Sequence, residues 1–152
     1  ELVNLATAPK HQDRLAAMRK VLSQRMTETR DMGLIPEPIL EDVGREAGNK
    51  YLAFLETDHS KQTRRLIDVI TAGEANESDK LLDFAKYSDP STRYWAAVWL
   101  GVNKTAESKS TLLQLTTDTV PAVRIAAAQA LCKSGDLDHL KLLVEHIHHP
   151  NL

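Results

Sequence analysis

Twelve residues of this chain return after an interval of 31. Asp89-Pro90-Ser91-Thr92-Arg93-Tyr94-Trp95-Ala96-Ala97-Val98-Trp99-Leu100 is answered by Val120-Pro121-Ala122-Val123-Arg124-Ile125-Ala126-Ala127-Ala128-Gln129-Ala130-Leu131. Pro90 maps to Pro121, Arg93 to Arg124, Ala96 and Ala97 to Ala127 and Ala128, and Leu100 to Leu131. A period of this length with helical patterning means stacked helix pairs, because one pair cannot bury its own apolar face alone. With 152 residues there is room for a short stack and a leader.

Moving backwards, Leu66, Ile67, Val69 and Ile70 supply the apolar positions that Ala96, Ala97, Trp99 and Leu100 supply next, which places Thr63 where the following units carry arginine. Three polar turns follow the three first helices, at Gly73-Glu74-Ala75-Asn76, Asn103-Lys104-Thr105-Ala106 and Ser134-Gly135-Asp136. Second helices then carry Leu81, Leu82 and Ala85, Leu112, Leu113 and Leu115, and Leu140, Leu143, Val144 and Ile147. Ahead of the units, residues 9–30 read as an amphipathic helix with Leu15, Met18, Leu22 and Met26 on one stripe and Gly33 as its stop. Pro36 and Pro38 hold the next stretch extended, a second helix spans Ile39 to Ala47, and Gly48-Asn49 closes it. Tyr51, Leu52, Phe54 and Leu55 form an apolar cluster expected to lie against the first unit. No run alternates like a strand, so the fold class is all-α.

The Asp-Pro-x-x-Arg opening and the Ala-Ala-x-x-Leu inner face resemble HEAT repeats. The resemblance implies a HEAT-like helical repeat solenoid of about three helix pairs with an N-terminal helical leader, wound into a right-handed superhelix. We divide the chain into a leader, 1–56, and repeats, 57–152, with the sequence stopping short of a fourth unit. Leu140, Leu143, Val144 and Ile147 then lack a following unit, which predicts fraying or self-association at that end, with helix 9–30 available as a lid. Composition excludes little else. Basic and acidic residues number 19 and 21, so no excess of positive charge marks a nucleic-acid module. No apolar run reaches the ~18–20 residues of a membrane span, the first residues do not read as a signal peptide, and the lone Cys132 rules out an internal disulfide.

The leader carries a second resemblance. Glu1-Leu2-Val3-Asn4-Leu5-Ala6, a helix containing Leu15-Ala16-Ala17-Met18-Arg19, and Thr29-Arg30-Asp31-Met32-Gly33-Leu34-Ile35-Pro36-Glu37 follow one another in order. Over about residues 1–40 this is similar to the C-terminal end of bacterial arylsulfatase-type enzymes, some of which carry helical repeats beyond the catalytic domain. The resemblance implies a parent sulfuric ester hydrolase acting outside the cytoplasm, in the periplasm or beyond the cell. Such enzymes use a formylglycine made from a Cys/Ser-x-Pro-x-Arg signature beside a calcium site. Ser88-Asp89-Pro90-Ser91-Thr92 has the serine and proline but Thr92 where arginine is needed, and Cys132-Lys133-Ser134-Gly135 has neither proline nor arginine. The expectation is a non-catalytic chain holding no cofactor, with any catalytic machinery encoded upstream.

Three side chains stand out as candidate binding residues. Arg93 and Arg124 recur at the start of successive first helices, where a guanidinium either bonds acidic and carbonyl groups nearby, with Asp89 and Asp118 as candidates, or forms a ligand-binding ladder. Trp95 replaces the Ala126 of the next unit and is placed part-exposed on a groove, while Trp99 reads as core. His139, His146, His148 and His149 cluster near the end, but no acidic or cysteine set completes four ligands, so we assign no metal. The reading that results is a scaffold or protein-interaction region whose partner is the parent's catalytic domain or another protein. A free-standing HEAT-like module for protein or nucleic acid is the alternative.

Overall fold

Three stacked first helices form the spine of the molecule: α4 (Ser60–Glu74), α6 (Pro90–Asn103) and α8 (Pro121–Lys133). Each is followed by a shorter helix, α5 (Ser78–Phe84), α7 (Ala106–Leu115) and α9 (Leu140–His146), the last entered through a 3-10 turn at Leu137–His139. Ahead of them lie α1 (Gln12–Thr29), α2 (Glu37–Ala47) and α3 (Lys50–Leu55). The computed structural model describes residues 3–55 and 59–146, apart from the side chains of Phe54, Leu55 and His146. Among the described residues there is no strand, and the architecture is an all-α helical-repeat solenoid.

Packing follows from residue size. α6 presents Ala96 and Ala97, and α8 presents Ala127 and Ala128, all fully buried, so neighbouring first helices approach closely. Leu100 and Leu131 fill the space below them, and Leu81 and Leu112 close it from the second helices. Between units, large residues meet small ones. A Cβ on Gly73 would strike the ring of Trp99 at 2.1 Å, and one on Gly101 would lie 2.5 Å from the Cβ of Ala130. Trp99 and Ala130 occupy the same slot in consecutive units, and each faces a glycine of the unit before. Gly73 therefore belongs to the buried side of α4 rather than to the turn where its sequence placed it. The left-handed residues in the three turns are Asn76, Lys104 and Gly135.

The register of unit one also shifts. Counting 31 residues throughout aligns Leu66 and Val69 with Ala97 and Leu100 and with Ala128 and Leu131, all at most 1 % exposed. It also aligns Leu81 with Leu112. Gln62, not Thr63, then occupies the arginine position. The side-chain bonds agree: Gln62 donates to Asp89 Oδ1 of the next unit at 3.0 Å, whereas the Thr63 hydroxyl bonds the carbonyls of Asp31 and His59.

The leader follows a different logic. Ile35 and Ile39 are buried against Leu66 of unit one and Ala122 of unit three, with Tyr94, Trp95 and Val120 packed around them. The leader thus lies across the first helices of all three units. α1 packs on α4 but buries no residue completely. The half-buried side of α1 holds Leu15, Ser23, Met26 and Thr27, and Arg19 pairs with Glu74 at 3.1 Å. The expected stripe is only partly used, since Met18 and Leu22 are 62 % and 59 % exposed. Small Ser23 and Thr27 lie on the side of α1 that meets α4, and Met18 and Leu22 fall away from that side. α1 ends at Arg30, which adopts φ 52°, three residues before Gly33. Pro36 does precede α2 in extended backbone, but Pro38 sits inside its first turn, where a missing N–H costs nothing. α3 turns Tyr51 and Leu52 outward, so they do not cover the first unit, and of this cluster Phe54 and Leu55 lie outside the described side chains.

Candidate interaction surface

The arginines repeat at the level of single atoms. Arg93 Nη1 donates to the carbonyls of Tyr87 and Ser88 at 2.8 and 2.7 Å. Arg124 Nη1 donates to those of Asp118 and Thr119 at 2.8 and 3.2 Å. These acceptors are again 31 residues apart. Each guanidinium folds back over the turn that joins the preceding second helix to its own helix, where these carbonyls lie beyond the helix end and accept no backbone N–H. Arg93 also grips Asp118 of the next unit with two bonds, Nε to Oδ2 at 2.7 Å and Nη2 to Oδ1 at 2.9 Å. Both side chains are largely covered, at 14 % and 8 % exposure. A bidentate, shielded pair of this kind holds two units in register.

Asp118 shows the electrostatic consequence. Burial pushes its carboxyl up, but the Arg93 bonds, the Val120 amide at 2.8 Å and the charges of Arg93 and Arg124 outweigh it and hold it below the usual carboxylate range. Asp89, the other acid considered for the arginines, does something else. It caps α6 by accepting the Thr92 amide at 3.1 Å and the Thr92 hydroxyl at 2.6 Å. Ser88-Asp89-Pro90 is therefore a helix start, and Thr92 is used in its cap.

Trp95 lies under the leader. Its indole N–H donates to the carbonyl of Leu34 at 2.7 Å, and its ring packs among the leader cluster, edge-on to Tyr94. The half-buried ring thus ties leader to solenoid, where the sequence placed it on a groove. Trp99 joins the core as expected. His139 stands 4.0 Å from Asp136, while His148 and His149 lie outside the described residues, as does the side chain of His146. Among the described residues no three metal-ligating side chains gather at one point.

Among the described residues, two open surfaces stand out. The second helices carry mixed charge outward, with Asp79, Lys80 and Asp83 on α5 and Glu107 and Lys109 on α7. Between the turns of units two and three runs an open groove of about 710 Å³, lined by Lys104, Thr105, Lys109, Ser134, Asp136 and Asp138. Lys109 bonds Asp136 across it at 2.9 Å, and that bond holds the Asp136 carboxyl below its ordinary value. The second open surface is the outer side of α1, where Met18, Val21 and Leu22 are exposed. The sequence placed Met18 and Leu22 on the packed stripe and did not single out Val21; the i, i+3 and i+4 spacing of the three was the available signal.

Residues 78–152 match the family model for HEAT repeats. The chain carries HEAT-like repeats. The match begins at α5, and the structure adds α4 to the front of the series, since its Gln62 and Leu66 fall on the same 31-residue register. No curated protein and no solved structure matches the chain. HEAT repeats commonly serve as helical scaffolds for protein interactions, and among the described residues no helix is long and apolar enough to cross a membrane.

Proposed function

We propose that this chain is a non-catalytic scaffold or protein-interaction region built of HEAT-like repeats, and that it forms the C-terminal part of a sulfatase-type hydrolase. The observation that carries the first half is the packing of the leader on the N-terminal parts of the first helices, which leaves the second-helix face and the outer side of α1 for a partner. The second half rests on the ordered resemblance over residues 1–40, and a periplasmic or extracellular setting follows from it. In this reading the chain needs no cofactor. Leu140 and Val144, exposed on α9, are a further place for the parent domain or a second copy to pack.

The test has two arms. The reading frame upstream of Glu1 should encode a Cys/Ser-x-Pro-x-Arg signature, and its absence from the whole gene would leave the free-standing HEAT-like module as the better reading. The purified chain should not hydrolyse a chromogenic aryl sulfate. Turnover that follows this chain through successive columns and scales with its concentration would contradict the non-catalytic assignment.

A further inference from the structure

The outer side of α1 is both apolar and basic. Arg14, Met18, Val21 and Arg25 fall at spacings of four, three and four residues, which places them on one line along the helix, and Ala17 and Leu22 flank it. This line lies opposite the side that meets α4. Met18 and Val21 are 62 % and 67 % exposed. Arg14 and Arg25 stand at its two ends, about 16 Å apart at ~1.5 Å per residue.

Charge is distributed to match. Residues 3–30 carry six basic side chains against two acidic ones, while the rest of the chain carries 13 against 19. Within that basic stretch α1 itself carries four basic side chains against two acidic ones, so the helix with the uncovered apolar line is net positive in a net-negative protein. A second copy docking through the same line in antiparallel fashion would set Arg14 against Arg25, which is repulsive. The complementary occupant has carboxylates where this helix has guanidinium groups.

We propose that the Arg14–Met18–Val21–Arg25 seam docks an amphipathic helix of a partner protein that presents acidic residues eleven positions apart, with apolar residues at the fourth and seventh positions between them. Its apolar pair packs on Met18 and Val21, in the manner of a coiled-coil seam, and each carboxylate accepts from one arginine. The idea rests on the interaction-region reading and supplies the partner chemistry for one of its surfaces.

The test uses the whole chain and a labelled synthetic helix of that pattern, with Glu at the ends and Leu at the two inner positions. The controls are the same helix with Lys for Glu and a helix of equal composition with the spacing scrambled. Fluorescence anisotropy should show saturable binding of the Glu helix only, weakening as salt rises. Arg14→Glu with Arg25→Glu should weaken it at least tenfold and transfer binding to the Lys helix. Met18→Ser with Val21→Ser should abolish both, and all four positions are exposed enough that the melt should not change. Absence of binding, equal binding of the three helices, or failure of the charge swap would overturn the proposal. So would self-association in sedimentation that the arginine reversal abolishes, or binding to phosphatidylglycerol vesicles with none to the peptide. An active aryl sulfatase would sink the non-catalytic reading while leaving the peptide result standing; an inert chain that ignores the Glu helix would sink only the seam.

Discussion

Repeats and leader are both helical, yet they put apolar residues to opposite uses. α6 and α8 bury Ala96, Ala97, Leu100, Ala127, Ala128 and Leu131 completely, while the 18-residue α1 buries nothing completely and turns Met18, Val21 and Leu22 to solvent. Helix content therefore says little about where stability resides. In the repeats each position is constrained from two sides, by its own pair and by the neighbouring unit. In the leader the constraint comes through a few tethers: Ile35 and Ile39 in the shared cluster, Trp95 on the Leu34 carbonyl, Thr63 on the Asp31 carbonyl and Arg19 on Glu74.

The contrast can be broken hardest in the repeats. Ala127→Asp places an uncompensated carboxylate at a fully closed helix contact and should cost several kcal/mol, read as a large fall in the midpoint of thermal unfolding. A melt close to wild type would mean the alanine register is wrong. Gly101→Ala should cost about 1–3 kcal/mol, because the new methyl meets Ala130 Cβ at 2.5 Å and its Cα at 3.1 Å, and backbone yields poorly. Ala130→Gly in the same chain should return part of the loss, and denaturant melts of the single and double variants measure it.

Asp118→Asn should cost about 1.5–3 kcal/mol at neutral pH by removing the charged partner of Arg93. The folded-state pKa of Asp118 is depressed, so its contribution is present above the unfolded value of ~3.9 and is lost as pH falls through the folded value. Denaturant midpoints of wild type and variant should therefore converge on acidification below that value. A gap that stays constant would show that the carboxyl titrates alike in both states. The mildest effect belongs to the leader. Trp95→Phe keeps the packing but loses the bond to Leu34, at about 1 kcal/mol, and limited proteolysis should show cleavage near residues 30–36 rising before the repeats melt. Proteolysis unchanged from wild type would mean that this bond does not hold the leader.

The recurrence between residues 89 and 131 was legible because small residues at fixed positions leave a pattern. Its two arginines, its alanine faces and its leucines all fell where 31-residue spacing put them. Unit one was misaligned by one residue, because Thr63 and Gln62 are both polar and it is the burial of Leu66 and Val69, with the bond from Gln62 to Asp89, that distinguishes them. The role of Gly73 was hidden for a similar reason: a glycine near a helix end reads as a turn until the Trp99 ring is seen against it. Trp95 and the face of α1 depend on what lies across from them, and a contact 61 residues away leaves no local signal.

Amide hydrogen exchange on the intact chain shows whether the three stacked first helices open as one core beneath a more loosely tethered leader. Amides of α4, α6 and α8 should exchange slowest and together, at rates set by global unfolding, while those of α1 exchange much faster through local opening. An α1 protected as strongly as α6, or first helices that open independently of one another, would contradict that arrangement.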